Sequence, residues 1–244
     1  IDPGFALALE FYQSPDPLIR KEHQEKAKSL KNRITEAEKK ILYIRQSYRN
    51  GDMNEALSNA EWLAKNHSDS FESFVWLAQV QTDRRELEKA TKSLNKALEL
   101  NPDSYDAYFL LFSQHIPHGN QVLLPEEKRS VEKGLKYADE MIRIRGDHGR
   151  SYHMKGNCYR QIGEFEKAKV LYEEAIVKRR GLSSEGTAHL ISGHNYMFSG
   201  DMETARQRYN SAIELTKENP NLWSLMEYYL TVSYIFDNDY IGAI

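Results

Sequence analysis

The sequence predicts an all-α protein built from repeated helix-turn-helix units, and three observations carry that expectation. A turn recurs, as Gly51-Asp52-Met53-Asn54-Glu55-Ala56, Gly163-Glu164-Phe165-Glu166-Lys167-Ala168 and Gly200-Asp201-Met202-Glu203-Thr204-Ala205. Around it, small and aromatic residues recur three or four apart, the spacing that puts side chains on one helix face. Glycine and proline are sparse, 13 and 7 in 244 residues, and 28% of residues are charged, a balance suited to helices with one wet face.

Residues 1–16 are expected to be a disordered or vector-derived tail, because the chain opens on Ile1-Asp2-Pro3-Gly4 with neither Met nor a signal-peptide pattern. Asp16-Pro17 reads as a helix start, and no breaker follows until Asn50-Gly51. One long helix is therefore predicted, with residues 17–36 as its extension ahead of the first repeat. Along it Ala27, Leu30, Ile34, Ala37, Ile41, Ile44 and Tyr48 alternate at spacings of three and four, a heptad seam. Two readings of the seam stay open: packing along or capping the repeat array, or self-association through Leu30, Ile34 and Ile41. The excess of lysine and arginine between Arg20 and Lys40 reads as a solvated face.

The array itself spans 37–244. Its first unit, 37–70, carries Tyr43, Gly51, Met53, Ala56, Ala60 and Leu63. The second, 71–104, carries Phe74, Leu77, Ala78, Leu87, Ala90, Leu94 and Ala97. The third, 105–148, is irregular: Tyr108 and Leu111 mark its first helix, Ile116-Pro117-His118-Gly119-Asn120 breaks it, and Leu124-Pro125-Glu126-Glu127 is expected to start the second. The clearest unit, 149–182, places Tyr152, Gly156 and Tyr159 before its turn and Ala168, Tyr172 and Ala175 after it. The next, 186–219, matches it with Gly193, Tyr196, Ala205, Tyr209 and Ala212. The last, 224–244, opens with Leu230 and Tyr234 and stops inside its second helix near Tyr240 and Ala243, so the natural protein is expected to continue past Ile244.

This pattern resembles the tetratricopeptide repeat, a helix-turn-helix of about 34 residues with small, aromatic and glycine residues at set positions. The resemblance covers Ala37 to the end. It implies a right-handed superhelical solenoid and a binding role, but it is nearly silent on activity because the scaffold serves many partners.

Composition and spacing argue against several kinds of chemistry. The formal net charge is −3, which gives no electrostatic case for nucleic acid. No apolar run approaches the roughly 20 residues of a membrane span. Cys158 is the only cysteine and sits where a buried structural thiol is expected; a lone thiol also suits a cytoplasmic location. His115 and His118 have no third ligand set by spacing, and the pairs His148/His153 and His189/His194 are five apart, which splays them around a helix. No phosphate loop and no nucleophile elbow occurs. The chain is predicted to be no enzyme, with no cofactor and no metal.

In the tetratricopeptide family the first helix of each repeat lines a concave groove, with its second, fifth, ninth and twelfth positions pointing inward. The resemblance carries these onto Arg150, His153, Asn157 and Arg160, then Thr187, Leu190, His194 and Met197, then Tyr228 with Leu225, Val232 and Ile235. The implied groove is basic and polar, then apolar; Glu72, Gln79 and Asp106 make it more acidic in the earlier units. Arg150 and Arg160 offer the forked geometry that carboxylates accept. Asn157 sits at the asparagine position of the family's chaperone-tail clamp, but His153, Ile191 and Leu225 replace its other polar groups, which disfavours an EEVD-type tail. The expected function is a protein-interaction scaffold holding an acidic, partly apolar peptide or a partner domain. The alternative is a regulatory or substrate-presenting segment of a larger enzyme of glycosyltransferase or kinase type.

Overall fold

Each recurrent turn works through a left-handed residue. Gly51, Gly163 and Gly200 have φ of 74°, 76° and 89°, values that glycine adopts without a Cβ penalty. The acid after each lets its backbone N–H reach back over the helix end: Asp52 donates to the Ser47 carbonyl, Glu164 to Tyr159 and Asp201 to Tyr196, each at 2.9 Å. Asp52 and Asp201 then cap the next helix, accepting from the Glu55 and Thr204 amides at 2.9 and 3.0 Å. One dipeptide thus ends one helix and starts another.

The computed structural model describes residues 17–29, 34–118, 123–237 and 242, and among these every regular element is helical. The α-helices are α1 (Pro17–Ser29), α2 (Glu36–Asn50), α3 (Met53–Asn66), α4 (Phe71–Asp83), α5 (Leu87–Leu100), α6 (Tyr105–His115), α7 (Val131–Ile144), α8 (Gly149–Gln161), α9 (Phe165–Arg179), α10 (Glu185–Ser199), α11 (Met202–Thr216) and α12 (Pro220–Phe236). They fall into two compact units, residues 1–107 and 108–244.

In the first unit α2 packs on α3, α3 on α4 and α4 on α5. Ile44, Ala56, Ala60, Leu63 and Val80 are buried at its centre. Alanines let the helices approach closely, and Trp62 and Trp76 fill the periphery. In the second unit successive helices pack in the same way from α7 to α12. Its core includes Tyr172 and Tyr209, each at most 1% exposed. The irregular repeat closes through Tyr108 and Tyr137, whose rings lie 6.3 Å apart, and through Ile116 lying over Gly134.

Three expectations are corrected here. The long N-terminal helix is interrupted: α1 ends at Ser29, and Thr35, at φ −64° and ψ 163°, caps a new helix. Its hydroxyl accepts from the Glu38 amide at 3.2 Å while the Glu38 carboxylate accepts from the Thr35 amide at 2.8 Å. That reciprocal pair satisfies two amides that a continuous helix would bond internally, and it sets the break. The described end of the heptad seam faces inward. Ile41, Ile44 and Tyr48 belong to the core of the first unit, so Ile41 is committed to packing within the chain; Leu30 and the 1–16 tail lie outside the described residues. Thirdly, the helix expected from Pro125 begins at Val131. Glu126–Lys128 form a single 3-10 turn, Arg129 is extended, and Ser130 caps α7 by accepting from the Lys133 amide at 3.1 Å.

Candidate partner-binding face

α8 supplies Arg150, His153, Asn157 and Arg160 of the groove that the resemblance implies, and it divides them between surface and core. Arg150 is exposed and stacks on Phe109, its guanidinium carbon 3.9 Å from the ring centre. Arg160 is half-buried; its guanidinium lies 5.8 Å from the Tyr172 ring and 5.9 Å from that of Phe198. Between them His153 and Asn157 are buried. The Asn157 side-chain carbonyl accepts from the Tyr172 hydroxyl at 2.9 Å, and the His153 Nδ1 faces an Arg179 N–H at 3.5 Å. Since Asn157 spends its oxygen on Tyr172, its NH2 is what remains to offer a partner.

α10 and α12 hold the rest. Leu190 and Met197 are buried in a cluster with Tyr209 and Met226. Met197 sulfur also accepts from the Tyr209 hydroxyl at 3.6 Å. His194 is half-buried, its ring edge-on to Tyr229 at 4.3 Å. Thr187 is half-buried and shares a pocket of about 350 Å³ with Arg150, Lys178 and Arg179. Tyr228 is 61% exposed.

A second pocket of about 380 Å³ has a polar wall of Asn157, Arg160 and Gln161 and an apolar wall of Pro117, Phe165 and Phe198. Arg160 Nη1 is buried at its edge with no hydrogen-bond partner among the described residues. An unmet guanidinium N–H out of water costs free energy that an acceptor would recover. Phe198, 59% exposed, puts a large apolar ring beside it. Sequence reasoning missed Phe165 and Phe198 because neither stands at an inward position of the family pattern, though an aromatic just before a turn glycine is the signal that could have found Phe198.

The field around these residues is positive. Burial and then Arg160 hold the His194 imidazole down at about 4. Burial and then Arg150 hold His118 at about 4. His153 is held well below its usual range by burial, then by Arg179, Arg160, His118 and Arg150. At neutral pH all three are neutral, and the arginines carry the charge. Cys158 is fully buried and its thiol is pushed up to about 12, chiefly by burial. Among the described residues no cluster of three or more metal-ligating side chains occurs, and no helix is long and apolar enough to cross a membrane.

Arg45 and Arg49 of α2 stand beside Gln79 and Asp83 in one cleft.

Comparison with known proteins agrees with this architecture. Residues 71–104 and 149–176 match the family model described as tetratricopeptide repeat. The mitochondrial import receptor subunit TOM70 of Mus musculus is 26% identical over 162 residues, 65% of this chain and 25% of that protein, and its Homo sapiens counterpart is 25% identical over the same span. The chain thus spans about a quarter of the length of these curated relatives. Among solved structures, a tetratricopeptide repeat protein from Parabacteroides merdae superposes with a TM-score of 0.63 at 16% identity, covering 85% of this chain and 75% of that one. MamA from Desulfovibrio magneticus gives 0.57 at 17%, covering 75% and 96%. A thermophilic TPR protein of Thermus thermophilus gives 0.56 at 18%, covering 78% and 96%. At these identities the structural likeness speaks to fold. Turn glycines, helix pairs and matched segments together say that this chain carries tetratricopeptide repeats in an all-α array.

Proposed function

We propose that the chain is a protein-interaction scaffold whose second unit binds an extended, acidic and partly apolar segment of a partner across α8 and α10. The observation that carries this reading is the buried, unmet Nη1 of Arg160 beside the exposed Phe198 ring. A carboxylate set against an apolar residue would answer both at once. The receptor role in the name of the TOM70 relatives is in keeping with a scaffold that recognises other polypeptides.

Helix geometry narrows the ligand. Arg150 and Arg160 are ten residues apart on α8, about 15 Å at 1.5 Å per residue, so they do not share one carboxylate. An extended peptide covers that span in about four to five residues. The segment therefore carries two acids at that separation, with an apolar side chain near the second. Arg150 already sits over Phe109, 3.9 Å from the ring centre, and its guanidinium N–H groups donate a forked contact to the first carboxylate.

The test is fluorescence anisotropy with labelled peptides bearing two glutamates separated by three or four residues and a leucine beside the second. Binding to the wild type is expected to weaken at least tenfold in Arg160→Ala and in Phe198→Ala, and to weaken as salt rises. Affinity unchanged in both variants, each confirmed as folded by circular dichroism, would end this reading. So would equal binding of peptides with the acids moved to adjacent positions.

A further inference from the structure

His194 stands one turn before Phe198 on α10, so the two side chains share a helix face. The Arg160 guanidinium of α8 lies 5.9 Å from the Phe198 ring and acts on the His194 charge. The His194 ring is fixed from two directions. Tyr229 of α12 meets it edge-on at 4.3 Å and Tyr209 of α11 at 5.8 Å. Held so, its Nε2 is buried with no hydrogen-bond partner among the described residues, as is the Arg160 Nη1. Each of these atoms is out of water at a cost that a partner's acceptor would remove.

The groups around the imidazole come from four helices. α8 brings the Arg160 charge, and from α9 Tyr172 reaches the same guanidinium, 5.8 Å from its ring. α11 and α12 present the Tyr209 and Tyr229 phenols. Glu185, Glu173 and Arg208 act instead on His189, five residues back and splayed from His194 around α10. Among the described residues, then, no carboxylate acts on His194 to balance Arg160.

An ionised carboxylate only accepts hydrogen bonds, whereas a neutral imidazole has one N–H and one lone pair. An imidazolium donates from both nitrogens, so its Nε2 suits a carboxylate whichever tautomer came before. A carboxylate set against Arg160 also offsets the positive charge that disfavours the imidazolium in the free protein. Linkage is reciprocal: a ligand that favours the protonated ring is itself bound more tightly when the ring is protonated.

We propose that His194 is a second anchor for the acidic segment, taking up a proton from solvent as the segment's carboxylate reaches Arg160, so that binding tightens toward acid pH. The inference rests on the peptide reading of α8 and α10 and adds to it a histidine that regulates the same site.

The probe is the same two-glutamate peptide, with leucine beside the second glutamate. It is titrated calorimetrically at pH 5.5 in acetate and in MES, whose ionisation enthalpies differ, so the difference in heat counts protons. The free ring, at about 4, is nearly all neutral there. An uptake of at least about 0.3 proton per complex is expected, with affinity about twofold tighter at pH 5.5 than at pH 7.5. His194→Gln keeps a neutral donor and should abolish both the uptake and the gain in affinity. In the unaltered protein, the His194 imidazole resonances, recognised by their proximity to Tyr229, should titrate at higher pH with peptide bound than without. That measurement decides the question even where the variant does not fold. Binding at pH 7.5 with no uptake at pH 5.5 overturns this inference and leaves the peptide reading standing. So does uptake undiminished in folded His194→Gln, or a titration midpoint that peptide does not move. Absence of binding at either pH overturns both.

Discussion

The ring of Tyr172 fills the space that a side chain at Gly156 would need. A Cβ on Gly156 would lie 2.6 Å from the nearest ring carbon, and the same relation holds between Gly193 and Tyr209, at 2.5 Å. Both pairs are sixteen residues apart in chain and join the first helix of a repeat to its second. Glycine in a helix costs about 1 kcal/mol relative to alanine, so close packing must offset that loss at both places.

Gly156→Ala and Gly193→Ala are therefore expected to destabilise the protein by about 1–3 kcal/mol, despite the better helix former. Tyr172 cannot swing aside, because its hydroxyl is held by Asn157 and the residue is 1% exposed. Urea denaturation measures the loss. In a Tyr172→Leu background the Gly156→Ala cost should shrink, since the smaller side chain vacates the contested space. A cost unchanged by Tyr172→Leu would show that the ring is not its cause.

Arg85 occupies the place in the α4–α5 turn that glycine holds in three other repeats. It is the only non-glycine with positive φ among the described residues, at 63°. The turn is otherwise the same: Glu86 donates to the Gln81 carbonyl at 2.8 Å. A left-handed backbone costs an ordinary residue roughly 1–2 kcal/mol, and glycine gives back part of that gain through its freer unfolded chain. Arg85→Gly should stabilise by about 0.5–1 kcal/mol, read as a higher urea midpoint at unchanged slope. A lower midpoint would mean that the exposed Arg85 side chain contributes more than its backbone costs.

These turns show what was legible in the sequence and why. A left-handed position followed by a capping acid leaves a local signature, so the helix pairs could be read from Gly51, Gly163 and Gly200. Arg85 hid the same turn because a tertiary scaffold tolerated a residue that local preference disfavours. The Thr35-Glu38 capping box was present in the sequence, yet the unbroken apolar spacing from Ala27 to Tyr48 argued against it. Helical register placed His153 and Asn157 on α8, five and nine positions into its repeat. It could not tell that both are buried, because Tyr172 and Arg179 reach them from α9.

The buried histidines of the second unit make its stability depend on pH with a definite sign. His118 and His194 titrate near 4 in the folded protein against about 6.5 in an ordinary setting. Burial is the larger cause in both, with Arg150 adding to it at His118 and Arg160 at His194. Between those two values the unfolded chain binds protons that the folded protein refuses, so stability rises with pH across the window. Their contribution is fully present above about 6.5 and is lost as pH falls toward 4. His115, His148, His153 and His189 are lowered too and act in the same direction. The urea midpoint should therefore drop between pH 7.5 and pH 5.0, a range in which Asp201 and Glu86, whose carboxyls are lowered, stay ionised. His194→Gln separates proton uptake from packing. Loss of the ring against Tyr229 should lower stability at pH 7.5, while the further drop on going to pH 5.0 becomes smaller than in the wild type. Equal midpoints at the two pH values would refute the linkage, and an undiminished drop in His194→Gln would move its source to the other histidines.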